Sequence, residues 1–340
     1  MTTTKVCYAA SMSHNRRLRR VSSLVALALI SFGLTACRKY GAVSGLTPVR
    51  FQADWYPQPE HGGFYTALVK GYYKDEGLDV TILPGGPYTS TEALIANGRI
   101  QFGMQSSDHI LDAIANAHEP LLAVGATMQH DPQGLLLHQD SPVHTWTDLN
   151  GRTVAVRPGS TWWAFLVHKY HLNNVHEVPA TFSVANFIQD PSYIQMGFLT
   201  SEPYFANKGG APARMLLNRD AGYDPYRVFF TSRDYAQQHP EIVAKFVRAS
   251  VRGWNEYLRD PAPANALIEK LNPAMSPDWA AYSYATLKSG NFITGDDSTG
   301  AQTGHFDPAR WQTMADQLYA IGVIQQRIDP TLGYTTQFLK

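Results

Sequence analysis

From residue 49 to residue 128, short apolar runs alternate with amphipathic stretches, and that rhythm leaves few folds open to the chain. Residues 49–55, 78–83, 101–104 and 121–128 read as strands; 63–76, 89–97 and 108–116 read as helices. In the first helix Phe64, Leu68 and Tyr72 form one stripe, and Gly77 stops it. Strands alternating with helices in this order imply a mainly parallel sheet covered on both faces. A second set follows, with strands at 134–138, 153–156, 177–181 and 196–200 and helices at 160–171 and 201–206; 215–217 and 228–231 are further strand candidates. The last third turns helical: 240–258 carries Val243, Phe246, Val247, Trp254 and Leu258 at helix spacing, and 261–271, 278–287 and 308–321 continue in the same style. The expectation is an α/β chain of two lobes joined by a hinge, with a helical C-terminal part. Residues 49–130 with 227–340 make lobe 1 and residues 131–226 make lobe 2, the crossings falling at 129–134 and 223–227. In open α/β sheets ligands sit beyond the C-terminal ends of the strands, so the cleft between two such lobes is the expected site.

The N-terminus is of a different kind. Arg16, Arg17, Arg19 and Arg20 precede an apolar stretch over 22–34, richest over 24–34. That stretch is too short to span about 30 Å of hydrocarbon and suits a signal-peptide core. It ends in Leu34-Thr35-Ala36-Cys37, which resembles a bacterial lipobox, in which the cysteine is lipidated and becomes the first mature residue. Residues 1–36 are therefore read as a lipoprotein signal peptide and 37–48 as a tether. The expected location is the periplasmic or cell-surface face of a membrane, held there by acyl chains. Met12 is an alternative start that would shorten the leader to ordinary length. No cysteine follows Cys37, so the mature chain has no structural disulfide, no thiolate metal site and no catalytic cysteine.

The 340 residues carry 28 Lys+Arg and 28 Asp+Glu. Lys5 and the four arginines of the leader belong to the N-terminus; without those five the remainder holds 23 basic against 28 acidic residues. No basic excess is left for nucleic acid, which excludes that class of partner. Charged residues are sparse and aromatics plentiful (18 Tyr, 15 Phe, 7 Trp), enough to bury a large core and line a cleft with rings.

The richest candidate loop is Asp54-Trp55-Tyr56-Pro57-Gln58-Pro59-Glu60-His61-Gly62-Gly63, where the first strand ends and the first helix begins. Two prolines stiffen it and two glycines let backbone approach a ligand. Trp55 and Tyr56 offer rings, Asp54 and Glu60 acceptors, and the helix start at Gly62 unpaired N–H groups. Other strand-end loops match it in character: Gly86 in Gly85-Gly86-Pro87, then Ser106, Ser107 and Asp108, then Ser160, Thr161 and Trp162, then Glu202 and Tyr204. Plain turns and helix capping would also explain several of these residues. Lysine and arginine are missing from the loops, apart from Arg157 ahead of one. That disfavours sulfonate, nitrate or phosphate and favours a flat ring bearing amines, stacked by aromatics and held by carboxylates. Catalytic readings are weak. His168 and His171 share a helix face but lack further zinc ligands. No nucleophile-elbow, P-loop or dinucleotide motif occurs. No cofactor, metal or catalytic residue is expected.

Across about residues 49–260 the chain resembles the NMT1/THI5-like family. The likeness rests on Asp54-Trp55-x-Pro57-x-Pro59-Glu60-His61-Gly62-Gly63, on Lys70-Gly71-Tyr72-Tyr73-Lys74-Asp75-Glu76-Gly77-Leu78-Asp79-Val80, and on Gly98-Arg99-Ile100-Gln101-Phe102-Gly103. Asp148-Leu149-x-Gly151-Arg152-x-Val154 and Pro240-Glu241-x-Val243-x-Lys245-Phe246 extend it. The resemblance implies the periplasmic-binding-protein type II fold and capture of a small solute for an ABC permease and its ATPase, by a monomer. Several members bind pyrimidine precursors of thiamine. Fungal relatives are enzymes that make the thiamine pyrimidine. Where they hold a cofactor-binding lysine this chain has Gln105, His109 matches their reactive histidine, and no cysteine stands near 223–227, where their Cys-rich run falls. The resemblance therefore favours capture over synthesis. A sensory receptor domain and a sulfonate- or nitrate-type binding protein are the other readings.

Overall fold

The computed structural model describes residues 45–87, 89–296 and 303–339. The stretch read as a signal peptide, Cys37 and the expected tether up to residue 44 lie outside them. The rest of the expected tether is short, because Thr47 and Pro48 already belong to the first strand.

The first half runs β1 (Thr47–Gln52), α1 (Gly62–Val69), α2 (Tyr72–Asp75), β2 (Leu78–Leu83), α3 (Thr91–Ala96), β3 (Phe102–Ser106), α4 (Ser107–Ala117) and β4 (Leu121–Met128). Then come β5 (Gln133–His138), β6 (Thr153–Val156), α5 (Thr161–Tyr170), β7 (His176–Pro179), α6 (Ala185–Gln189), β8 (Ile194–Phe198), α7 (Glu202–Lys208) and β9 (Ala213–Leu217). The chain closes with β10 (Arg227–Ser232), α8 (Arg233–Gln238), α9 (Pro240–Tyr257), α10 (Ala262–Leu271), α11 (Pro277–Ser289) and α12 (Pro308–Ala320).

Two five-stranded sheets result, ordered β2-β1-β3-β10-β4 and β7-β6-β8-β5-β9. The chain passes from one to the other through residues 129–132 and returns through 218–226. Within each sheet the βαβ strands pair in parallel, and the strand that follows a crossing runs antiparallel between neighbours: β10 against β3 and β4, β5 against β8 and β9. The sequential rhythm puts β4 next to β3; the structure inserts β10 between them. Return of the chain from the second lobe supplies that strand, which no local pattern announces. The helix expected over 63–76 is broken in two, because Gly71 takes a left-handed backbone (φ +76°) between α1 and α2. α6, a single short turn-length helix, carries no sequence signal of its own.

β3, β10 and β4 are buried along almost their whole length and read as apolar runs, whereas β1 and β2 alternate, with Arg50, Asp79 and Thr81 exposed. On one face Phe51, Phe64, Phe102, Phe229 and Phe246 form an aromatic stack, with Phe102 and Phe246 ring centroids 4.0 Å apart and Phe51 and Phe64 4.3 Å apart. On the other face Ile110, Leu121, Val228 and Phe230 join a cluster that continues through Tyr226 to Leu135, Val154 and Trp162 of the second lobe. Apolar packing thus runs unbroken through the hinge, and residues 45–340 form one compact unit.

Three further ties join the lobes. At the hinge the Asp224 carboxylate accepts from His130 Nδ1 at 2.6 Å and from the Asp131 amide at 3.0 Å, so the two crossings lie side by side. Arg310 of α12 spans both, donating to the carbonyls of Gln129 (2.6 Å) and Asp224 (2.9 Å). At the opposite rim α11 straps the end of β8: Trp279 Nε1 donates to the Thr200 carbonyl at 3.1 Å and Tyr282 Oη to the Leu199 carbonyl at 3.0 Å.

α1 and α9 cross at two glycines. A Cβ on Gly253 would stand 2.2 Å from the Gly63 carbonyl oxygen, and one on Gly63 would stand 2.2 Å from the Trp254 ring. The crossing admits no side chain at Gly253. Gly253→Ala is expected to cost about 1–3 kcal/mol by overpacking, read as a lower urea midpoint at unchanged slope. An unchanged midpoint would contradict this account of the crossing.

Candidate functional site

The loop between β1 and α1 turns its acidic side chains inward. Asp54 accepts from His61 Nε2 at 2.9 Å through one oxygen and from Arg227 Nη2 at 2.8 Å through the other. Burial alone would raise the Asp54 carboxyl; the charge of Arg227 and the bond to His61 outweigh it and hold the group below the ordinary carboxylate range. Glu60 sits in a short 3₁₀ turn (Pro59–His61) and is buried. Its Oε1 accepts the Thr200 hydroxyl from the second lobe. Desolvation pushes Glu60 up, since one hydroxyl does not replace the water lost.

A parallel contact forms at the start of α4. Asp108 Oδ2 accepts the Tyr223 hydroxyl at 2.7 Å and the hydroxyl of Thr161, the first residue of α5 in the second lobe. Burial works against its charge, but the nearby His109 and the hydroxyl donors more than compensate, so Asp108 stays below its usual value. Thr161 and Thr200, each at a strand-to-helix turn of lobe 2, thus close on two carboxylates of lobe 1. Ser107 ties the same helix start to the hinge, its amide donating to the Tyr226 carbonyl at 2.8 Å and its Oγ accepting the Tyr226 amide at 3.0 Å.

The remaining polar atoms have a pattern. Among the described residues, the buried side-chain atoms without a hydrogen-bond partner include Glu60 Oε2, Asp108 Oδ1 and His61 Nδ1, alongside others elsewhere such as Trp254 Nε1 and Trp311 Nε1. Buried polar atoms are normally paired, and clustered exceptions call for an explanation such as a ligand.

Rings gather at the mouth. Trp55 lies 5.5 Å, centroid to centroid, from both Tyr56 and Phe182, the last belonging to lobe 2. Tyr56 is 49% exposed and Phe182 46% exposed. Phe182 also takes a left-handed backbone, φ +56°, a conformation that costs a bulky L-residue about 1–2 kcal/mol. Gly86 faces the Tyr56 ring at 3.5 Å from where a Cβ would be.

Other expected residues lie differently. Gly62 makes room for the Tyr257 ring, which a Cβ would meet at 2.3 Å, so its open face serves packing. Ser160 bonds back to the Arg157 carbonyl at 2.7 Å, and Ser106 precedes α4 with its side chain in no capping bond. Trp162 is 4% exposed and packs edge-on to Trp163. Tyr204 turns toward α11, 5.5 Å from the Tyr282 ring, in an outer groove of about 390 Å³ with Asn207, Lys208 and Asp278. Glu202 folds back over Gly197 and accepts the Phe198 amide at 2.7 Å. His171 ends α5 in a left-handed conformation.

Sequence reasoning missed Arg227. It contradicts the expectation of a cleft without arginine: it opens β10, next to Asp54 in space and 173 residues away in sequence. Asp131 and Phe182 were missed too: Asp131 falls in the 129–134 crossing, read only as a connection, and the loop at Phe182, just past the strand read over 177–181, carries no cluster of polar and aromatic residues. Asp131, buried at the crossing, is raised to about 6 by desolvation, which outweighs the help of Arg227. Gln105 donates to Glu92 at 2.8 Å, and His109 Nδ1 lies 3.5 Å from the same carboxylate.

A family model described as NMT1/THI5 like matches residues 58–264. The chain belongs to that family. A riboflavin-binding protein, RibY of Chloroflexus aurantiacus, is 24% identical over 90% of this chain and 90% of its own length. The 4-amino-5-hydroxymethyl-2-methylpyrimidine phosphate synthase THI11 of Saccharomyces cerevisiae is 26% identical, over 69% of this chain and 74% of its own. In fold the chain is similar to the aliphatic sulphonate binding protein SsuA of Escherichia coli, with a TM-score of 0.64 at 18% identity, covering 84% of this chain and 91% of that one. The architecture is the periplasmic-binding-protein fold, and the family and its binding-protein relatives support a solute-binding role.

Burial, only partly offset by the Phe198 amide, raises the Glu202 carboxyl to about 7 from an ordinary 4.5. The folded chain therefore binds more protons at this group than the unfolded chain between those values. Its contribution to stability is full below the unfolded value and falls as pH rises through about 7. Glu202→Gln is expected to flatten that fall. Thermal midpoints of both proteins across about pH 5 to 8 test it, and parallel profiles would contradict the assignment.

Proposed function

We propose that this chain is the solute-binding component of an ABC importer and closes its two lobes on a small, flat nitrogen heterocycle, such as a pyrimidine precursor of thiamine. One observation carries the reading: where hydroxyls of lobe 2 meet Glu60 and Asp108 of lobe 1, each carboxylate keeps one buried oxygen without a donor. A ring with N–H groups would stack on Trp55 and Phe182 and donate to Glu60 and Asp108. Asp54 and His61 would fix the floor, with Tyr56 and Gly86 at the rim. Ser106, Ser107, Ser160, Trp162, Glu202 and Tyr204 would frame the closing elements. Closure is a hinge motion about residues 129–132 and 218–226.

A flavin is the second reading. It is favoured by a riboflavin-binding relative matched over nine-tenths of both chains. Both ligands are flat nitrogen heterocycles, and the same rings suit either. Synthesis of the pyrimidine is disfavoured, because Gln105 stands at the lysine position and is engaged by Glu92. A permease and an ATPase on other chains would complete the importer, and lipidation at Cys37 would hold the exported monomer at a membrane surface. Among the described residues no helix is long and apolar enough to cross a membrane.

A thermal-shift screen tests the reading with 4-amino-5-hydroxymethyl-2-methylpyrimidine, thiamine, riboflavin, taurine and nitrate. A ligand at 100 times its Kd adds about 2.7 kcal/mol, which raises the midpoint by about 4 °C in a chain of this size. A pyrimidine or riboflavin is expected to give that shift, and Phe182→Ala or Trp55→Ala to remove most of it. A shift with taurine or nitrate alone would overturn the heterocycle reading and keep the binding role.

A further inference from the structure

Arg227 is the cation on which the site centres. Its guanidinium carries five N–H donors in a rigid fork. Among the described residues it makes one side-chain hydrogen bond, Nη2 to Asp54 at 2.8 Å. The Phe198 ring of lobe 2 lies 5.7 Å from the guanidinium carbon. The side chain is mostly buried, with 16% of its surface exposed, and among the described residues its other N–H donors have no hydrogen-bond partner. Four carboxylates, Asp54, Asp131, Asp108 and Glu60, act on its charge, the first through a direct bond. Two of those four, Glu60 and Asp108, also carry the buried oxygens that lack a donor. A free donor edge and two free acceptors thus belong to one charge cluster at the junction of the lobes.

We propose that Arg227 is a specificity-determining residue that donates to an oxygen on the solute, so that the ligand is a heterocycle bearing a carbonyl or comparable oxygen beside its N–H groups. This rests on the heterocycle reading above and narrows it. A ring with amines and no oxygen would satisfy the carboxylates and leave the guanidinium edge unanswered. A sulfonate or nitrate would answer the guanidinium and meet the carboxylates with like charge. A lactam or imide edge, which alternates C=O with N–H, answers both. Sites built from paired polar groups reject analogues that lack one partner far more strongly than apolar pockets reject a missing methylene. If Arg227 were only the counter-ion of Asp54, any cation there would serve.

Calorimetric titration of the purified chain tests this with a related pair: 4-aminopyrimidine, and cytosine, which adds a ring carbonyl and the N–H beside it, so that Arg227→Lys isolates the carbonyl's share. Riboflavin serves as a larger dione. The expected result is cytosine binding at least about tenfold tighter than 4-aminopyrimidine. In Arg227→Lys, which keeps a cation for Asp54, that preference should shrink to within about threefold. Riboflavin should weaken in step with cytosine. Arg227→Gln should behave alike if it folds, and because the readout is a ratio of affinities, a general loss of stability cancels. Equal affinity of the wild type for the pair would overturn the proposal, as would a preference untouched in Arg227→Lys. Failure of every heterocycle to bind would overturn the underlying reading and this inference with it.

Discussion

A guanidinium at the return crossing, held by a carboxylate just past the first strand, is the interaction around which the candidate site is arranged. Buried ions are costly unless paired, and removing one partner leaves the other uncompensated. Arg227 enters on the returning strand β10, and Asp54 waits at the end of β1, so the pair exists only once the chain has made the second lobe and come back. The same charge supports Asp131 at the crossing and faces Asp108 and Glu60. Without it four carboxylates would share one buried region, and like charges there would drive protonation or opening.

Closure uses that cluster from the other side. Thr161 and Thr200 begin helical turns in lobe 2 and donate to Asp108 and Glu60 of lobe 1. Each contact engages one carboxylate oxygen and leaves the second free. The lobes therefore meet through bonds that do not exhaust the acceptors, which is what a binding protein needs if a solute is to add to the closed state and not compete with it. The strap from α11 fixes Leu199 and Thr200 from behind, so the helical C-terminal part reaches the cleft although it contributes no side chain to the cluster.

Much of the fold was legible because it is local. The alternation of apolar runs and amphipathic stretches marked most strands and helices within a few residues, and β4 and β6 within their bounds. Strand order was not legible where a long return decides it, as with β10 between β3 and β4. At the site, the Asp54–Gly63 loop announced itself through stiff prolines, permissive glycines and a concentration of polar and aromatic side chains. Phe182 stands in a loop without any such mark, and its left-handed backbone is set by its surroundings. Gly62, read as a ligand-facing glycine, turned out to be a neighbour of Tyr257, because only the packed helices show which face of a glycine is crowded.

What the sequence by itself determined is the kind of chain: an α/β rhythm repeated twice, a helical end, no cysteine beyond Cys37 and a strand-end loop rich in polar and aromatic side chains. These follow from periodicity and residue chemistry, which act over a few positions. The tertiary structure decided which charges meet. Asp54 and Arg227, Glu60 and Thr200, and Asp108 and Thr161 are separated by 173, 140 and 53 positions, and their pairing depends on two sheets facing each other across a hinge. Coulombic and hydrogen-bond energies fall off over a few ångströms, so they register distance in space alone, and that distance is set only when both lobes have packed.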